Sequence, residues 1–255
     1  MLVWSPAWAV KVTTLYEVEV PVASQASNAR AAAIREGLEE VLVRLTGDHR
    51  IVEEKAIING LNKADYYVQE YAYSTPDVHA ATYMLNIKFN QRDVSRLLRK
   101  AGMKQWGSIR PLVLVWLATI SDQHQVDILG VDMGSSMLER FRRQGKRFGL
   151  PLIFPMMDMA DMNKVSAESI TSVVLPELKS ASDRYEPDAL LIGTIEYDDD
   201  AYQGRWSLVI SDKTWDWTTS GATQEEAVSA VLEHVSQLLS RGRMVVQQAK
   251  MKTKN

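Results

Sequence analysis

Residues 15–22 are rich in β-branched and apolar residues, Leu15, Val18, Val20 and Val22 among them, and the run stops at Ala23, Ser24 and Gln25. An apolar, β-branched run that ends on small polar residues predicts a strand. From Ala29 onward, Ala33, Ile34, Leu38, Val41, Leu42 and Leu45 recur at three and four, which predicts a long helix with one buried stripe. Ser24 or Ser27 can cap its start, and Gly47 supplies a left-handed stop. A shorter helical piece follows near 52–61, and 66–74 alternates Tyr67, Gln69, Tyr71 and Tyr73 against Val68, Glu70 and Ala72. The clearest strand is 81–89, where Ala81, Tyr83, Leu85, Ile87 and Phe89 face a core. A short helix over 91–101 with Leu97 and Leu98 inward closes a small α+β sandwich.

Residues 103–110 lose the apolar period, so a boundary is placed at 106/107. Residues 112–118 and 189–196 are apolar on both faces, as central strands covered on two sides must be. Between them, Gly134, Ser135 and Ser136 open a helix with Met137, Leu138, Phe141 and Phe148 inward, and 149–155 turns into a short strand. The helical pattern over 166–185 breaks at Pro176, which fits the first turn of a second helix and no position in the middle of one. Strands near 204–211 and 213–219 follow, with residues 197–203 as a hairpin tip. Thr223 and Glu226 form a capping box for a final amphipathic helix carrying Val228, Val231, Leu232, Val235 and Leu239. The expected layout is an N-terminal α+β domain at 10–106, a C-terminal α/β domain at 107–243, and a mobile basic tail at 244–255.

Composition narrows the chemistry. The chain has 255 residues, 46% apolar and 24% charged, enough for two domains of roughly 100 to 130 residues. A formal charge of -3, spread along the chain, argues against a nucleic-acid partner. The absence of cysteine excludes disulfides, thiolate metal sites and cysteine nucleophiles. No apolar run reaches the length of a membrane-spanning helix. Residues 1–9 end in Ala7, Trp8 and Ala9, a small-x-small pattern that reads as a truncated remnant of an export signal and points to the periplasm.

Neither a nucleophile elbow, a zinc-protease helix nor a glycine-rich phosphate loop is present in the sequence. His49, His79, His124 and His234 lack a second ligand at metal-binding spacing, so no metal and no cofactor are assigned. Met156, Met157, Met159 and Met162, with Met133 and Met137, offer soft thioethers, for which packing or partner contact is favoured over copper. Asp198, Asp199 and Asp200 read as a solvated turn. Asp158 follows a strand end where open sheets place ligand crevices, although capping of the next turn explains it more simply. Two aromatic rows are candidate partner-binding residues if exposed: Tyr67, Tyr71 and Tyr73 on one strand, and Trp206, Trp215 and Trp217 on a hairpin.

The blocks at 15–22, 28–35 and 41–47, with 149–155, Asp158, Arg184, Tyr185, 188–193, Trp206 and Trp215, resemble domain-of-unknown-function family 2066. That resemblance implies an exported envelope protein with no assigned activity. More distantly, the two-part layout resembles periplasmic flagellar-ring accessory proteins, whose second domain is similar to the amino-terminal domain of TolB. The resulting expectation is a non-enzymatic binding or scaffolding component of an envelope assembly, secretion and motility accessories included, with envelope proteins as partners and the oligomeric state open. The competing expectation is a cell-wall hydrolase that uses acidic residues of the second domain.

Overall fold

The computed structural model describes residues 10–75, 83–121, 123–131, 134–198 and 200–252, without the side chains from 242 onward. Residues 1–9, expected from the sequence to be a signal remnant, lie outside the described residues together with His79, Met133 and Asp199. In chain order the first elements are β1 (Val10–Lys11), β2 (Glu17–Val22), α1 (Ser27–Thr46), α2 (Lys55–Leu61), β3 (Val68–Ser74), β4 (Tyr83–Phe89) and α3 (Gln91–Lys100). Then come β5 (Ile109–Arg110), β6 (Val113–Ile120), β7 (Val126–Ile128), α4 (Ser136–Phe148), β8 (Leu152–Ile153), α5 (Met159–Met162), α6 (Ala167–Thr171) and α7 (Leu175–Ser182). The last are β9 (Ala189–Asp198), β10 (Ala201–Ile210), β11 (Lys213–Gly221) and α8 (Gln224–Lys252). The chain is therefore mixed α/β, with eight α-helices and three sheets among the described residues.

Two compact units emerge. One gathers Val12–Ser108, Arg147–Gly149 and the chain from Ser236 onward; the other gathers Ile109–Lys146 and Leu150–Val235 with β1. The segment after Arg243, expected to be a mobile tail, continues α8 as helix to Lys252.

In the first unit the antiparallel sheet β2-β4-β3 turns Val18, Val20, Leu85 and Ile87 toward α1, whose stripe from Ala33 to Leu45 is buried against them. Gly37 permits the close approach: a Cβ there would stand 2.7 Å from Val18 Cγ2. Neither Ser24 nor Ser27 caps α1, because Ala26 occupies the cap position and Ser27 is already helical. At the far end Gly47 adopts φ 74 and its N–H bonds to Val43. Arg44, 2% exposed, is buried beneath this helix end. It donates to the carbonyls of Thr14, Glu17 and Arg147 at 3.0, 2.7 and 3.0 Å, more weakly to Leu15, and pairs with Glu40 at 2.5 Å.

In the second unit the sheet order is β11-β10-β9-β6, with β7 antiparallel to the end of β6 and β8 parallel to its start. β6 and β9 run parallel in full register, and both are buried on both faces along most of their length. One face carries Trp116, Ile192 and Val209 and packs on Ile170 of α6 and Leu178 of α7. The other carries Leu117, Gly193, Trp206 and Trp217, which register places side by side, under α4 and α8. Pro176 sits in the first turn of α7. Glu225 at the start of α8 accepts from Arg140, Arg143 and Gln144, so α4 and α8 are clasped together.

Candidate functional site

On the α6 and α7 side of the second sheet the helices cover β6, β9 and the Val209 end of β10, and leave Arg205 of β10 and the outer strand β11 open. A crevice of about 480 Å³ lies at that step. Its floor is polar and crosses three strands: Thr194 of β9, Arg205 and Ser207 of β10, Asp216 and Thr218 of β11. Its wall is apolar, from Ile170 and Val173. Ser207 Oγ donates to Asp216 Oδ1 at 2.5 Å, and Arg205 Nε reaches Thr194 Oγ1 at 3.5 Å. Thr194 and Ser207 are buried, while Arg205 and Asp216 are exposed.

The wall is held in a costly conformation. The Val174 N–H bonds to Ser169 and the Val173 N–H to Ile170, the two bonds of a Schellman ending for α6. The residue that must turn left-handed in that motif is usually glycine, whereas here it is Val173 at φ 53. A β-branched residue in that region is retained only where its surroundings over-determine it, and Val173 packs on the core beneath.

Asp158 does not line this crevice. Its carboxylate caps α5 by accepting from the Ala160 and Asp161 N–H groups, both at 3.1 Å. Arg184 clamps it with two bonds of 2.7 and 2.9 Å. The Arg184 guanidinium and the cap bonds hold the Asp158 carboxyl well below its ordinary value, at about 2. Asp161, fully buried, accepts from Tyr185 Oη at 2.5 Å and the Met157 N–H at 3.0 Å. Burial first, and then that hydrogen bond, raises the Tyr185 phenol.

The clasp makes stability pH-dependent with a definite sign. A carboxyl at 3.8 when unfolded and about 2 when folded contributes stability that is full above about 4 and lost as pH falls toward 2. Urea melts at pH 5 and pH 2.5 should show Asp158→Asn losing less stability on acidification than the wild type. Equal losses in the two proteins would place the acid sensitivity elsewhere, Asp48 with its Arg50 partner being the nearest equivalent.

The aromatic rows separate on folding. Tyr67 belongs to a 3-10 turn before β3, and a register shift between Val68 and Glu70 follows, so it does not continue the face of Tyr71 and Tyr73. Tyr71 is exposed beneath Arg30 at 5.4 Å, and Tyr73 leans on the core with its ring 6.2 Å from that of Tyr71. Trp206, 2% exposed, is core: its Nε1 donates to Thr219 and its ring lies 6.0 Å from Phe141. Trp217 is half-buried against His234 of α8 at 4.7 Å, and Trp215 is half-buried on the same face. Met156, Met159 and Met162 are exposed, whereas Met137 is buried in the core. Among the described residues no cluster of three or more His, Asp or Glu could hold a metal ion, and no helix is long and apolar enough to cross a membrane. Arg205, Ser207 and Thr194 were not singled out from the sequence. Their one signal is polar side chains on strand positions whose opposite face is apolar.

The fold and crevice thus define a two-unit α/β protein with an open, hydroxyl-floored cleft and, among the described residues, a free sheet edge. Residues 9–107 match a domain of unknown function, DUF8605, which corrects the likeness to family 2066 expected from the sequence. Blocks such as 15–22 and 41–47 are strings that many half-buried strands and amphipathic helices spell, so they discriminate poorly between families. The matched stretch ends one residue before Ser108, where the main segment of the first unit also ends. No curated protein matches the chain.

Proposed function

We propose that this protein is a non-catalytic binding or scaffolding component of a cell-envelope assembly, working in the periplasm. The observation that carries the reading against a hydrolase is the state of Asp158. A catalytic carboxylate must present an oxygen to its substrate, and both oxygens of Asp158 are engaged, Oδ1 by the α5 cap and Arg184 and Oδ2 by Arg184. The open crevice supports the same reading, since its hydroxyls, cation and carboxylate suit surface recognition. The second unit, with its strand and helix alternation closed by the β9 to β11 meander and α8, is taken as related to the amino-terminal domain of TolB.

The localisation is tested by fusing alkaline phosphatase, active only after export, behind the native gene with its own upstream region. Active phosphatase released by osmotic shock is the expected result. An inactive fusion retained in the cytoplasm withdraws the envelope assignment.

A further inference from the structure

We propose that two copies of the chain associate about a two-fold axis by antiparallel pairing of β11 with β11, extending the sheet of the second unit through its open edge. Among the described residues β11 is the terminal strand of that sheet and pairs with β10 alone, in unbroken register from Lys213 opposite Ile210 to Gly221 opposite Tyr202. Ser211 at φ 54 opens a two-residue turn between them. In such a hairpin the closing pair exchanges both backbone bonds, and bonded pairs then recur at every second position. The N–H and C=O groups of Thr214, Asp216, Thr218 and Ser220 therefore point away from β10. Sheets commonly guard such an edge with proline, a bulge, a very short strand or charge; this nine-residue strand has none of the first three, and its charges are Lys213 at one end and Asp216.

Charge selects the occupant and the register. Arg205 of β10 stands opposite Thr218, on the same face as Asp216. Its one hydrogen bond is the long contact to Thr194, and among the described residues it makes no ion pair. If Asp216 lay opposite Asp216 of the second copy, like charges would meet. Shifting the axis onto Trp217 places Asp216 of each copy opposite Thr218 of the other. Arg205 then faces that carboxylate across a small threonine, at about 10 Å between Cα atoms, twice the strand spacing. Two reciprocal ion pairs form, and the outward backbone groups of the four residues pair in both directions. On the opposite face the two Trp217 positions meet at the axis, each side chain half-buried against His234 of its own α8. The contact is isologous and closes at two copies.

Light scattering and sedimentation of the full chain, from low micromolar to millimolar concentration, should show a monomer giving way to a dimer. Arg205→Asp and Asp216→Arg should each weaken association at least tenfold, and the two variants mixed in equal amounts should form a heterodimer. Rescue within one chain cannot produce that result. Thr218→Pro removes an outward N–H without touching the β10 ladder, so a folded monomer by circular dichroism is expected. A wild type that stays monomeric at the highest concentration, dimers that persist in Thr218→Pro, or a mixture that fails to associate would each overturn the proposal. The dimer does not depend on the envelope reading: a cytoplasmic dimer would overturn the location alone, and a periplasmic monomer the dimer alone.

Discussion

Arg44→Met should cost about 3–5 kcal/mol of stability, the range for breaking a buried charge network on one side. The guanidinium gathers the carbonyls of Thr14, Leu15, Glu17 and Arg147 onto one side chain, and its stem packs where a Cβ on Gly149 would stand 2.8 Å from Arg44 Cγ. Methionine keeps the stem and leaves the carbonyls and Glu40 without their donor. The pair with Glu40 is not the main source of stability, because burial raises the Glu40 carboxyl and lowers the Arg44 guanidinium despite their mutual attraction. A carboxyl raised on folding contributes stability below its unfolded value and loses it as pH rises through its folded value. Without Arg44 that rise should be larger, so the deficit of the variant should shrink between pH 7 and pH 5. Chemical denaturation at both values reads this directly. A deficit under about 1 kcal/mol, or one independent of pH, would mean that water replaces the guanidinium at no great cost.

The second large effect is expected at Gly193 and Trp206. The indole lies flat over the bare backbone of the neighbouring strand: a Cβ on Gly193 would stand 2.1 Å from Trp206 Cε3 and 2.8 Å from the Arg205 carbonyl. Gly193→Ala must therefore expel the ring or bend β9, at about 3 kcal/mol. Trp206→Ala should cost about 3–5 kcal/mol, since it empties a core position touching Phe141. The double variant should cost clearly less than the two losses added together, because the new methyl occupies the space the ring vacates. Denaturation of the three variants decides the matter, and additive losses would show that the two residues do not share that space.

The elements that read well in the sequence are those whose signal is local. The β-branched, apolar run over 17–22, the alternation over 83–89, the double-faced apolar runs that become β6 and β9, the stop at Gly47 and the placement of Pro176 each depend on neighbours within a turn or a strand. The likeness to family 2066, read across both units, failed because such local patterns are shared among unrelated families. Tyr67 was misplaced for a related reason: a period of two continues through a 3-10 turn on paper, while the chain there has left the strand.

By itself the sequence determined which segments are strands and helices, which of their faces are apolar, and which cysteine-dependent chemistries are excluded. Those properties follow from side-chain period and composition, which need no distant partner. Only the tertiary structure decided that Asp158 is a cap clamped by an arginine 26 residues away, and that Trp206 is core rather than surface. It also decided that Arg205, Ser207 and Asp216 share one open cleft beside an unpaired edge. Each of these depends on strand order and register, which are set by what packs against the sheet and leave no periodic mark on the residues themselves.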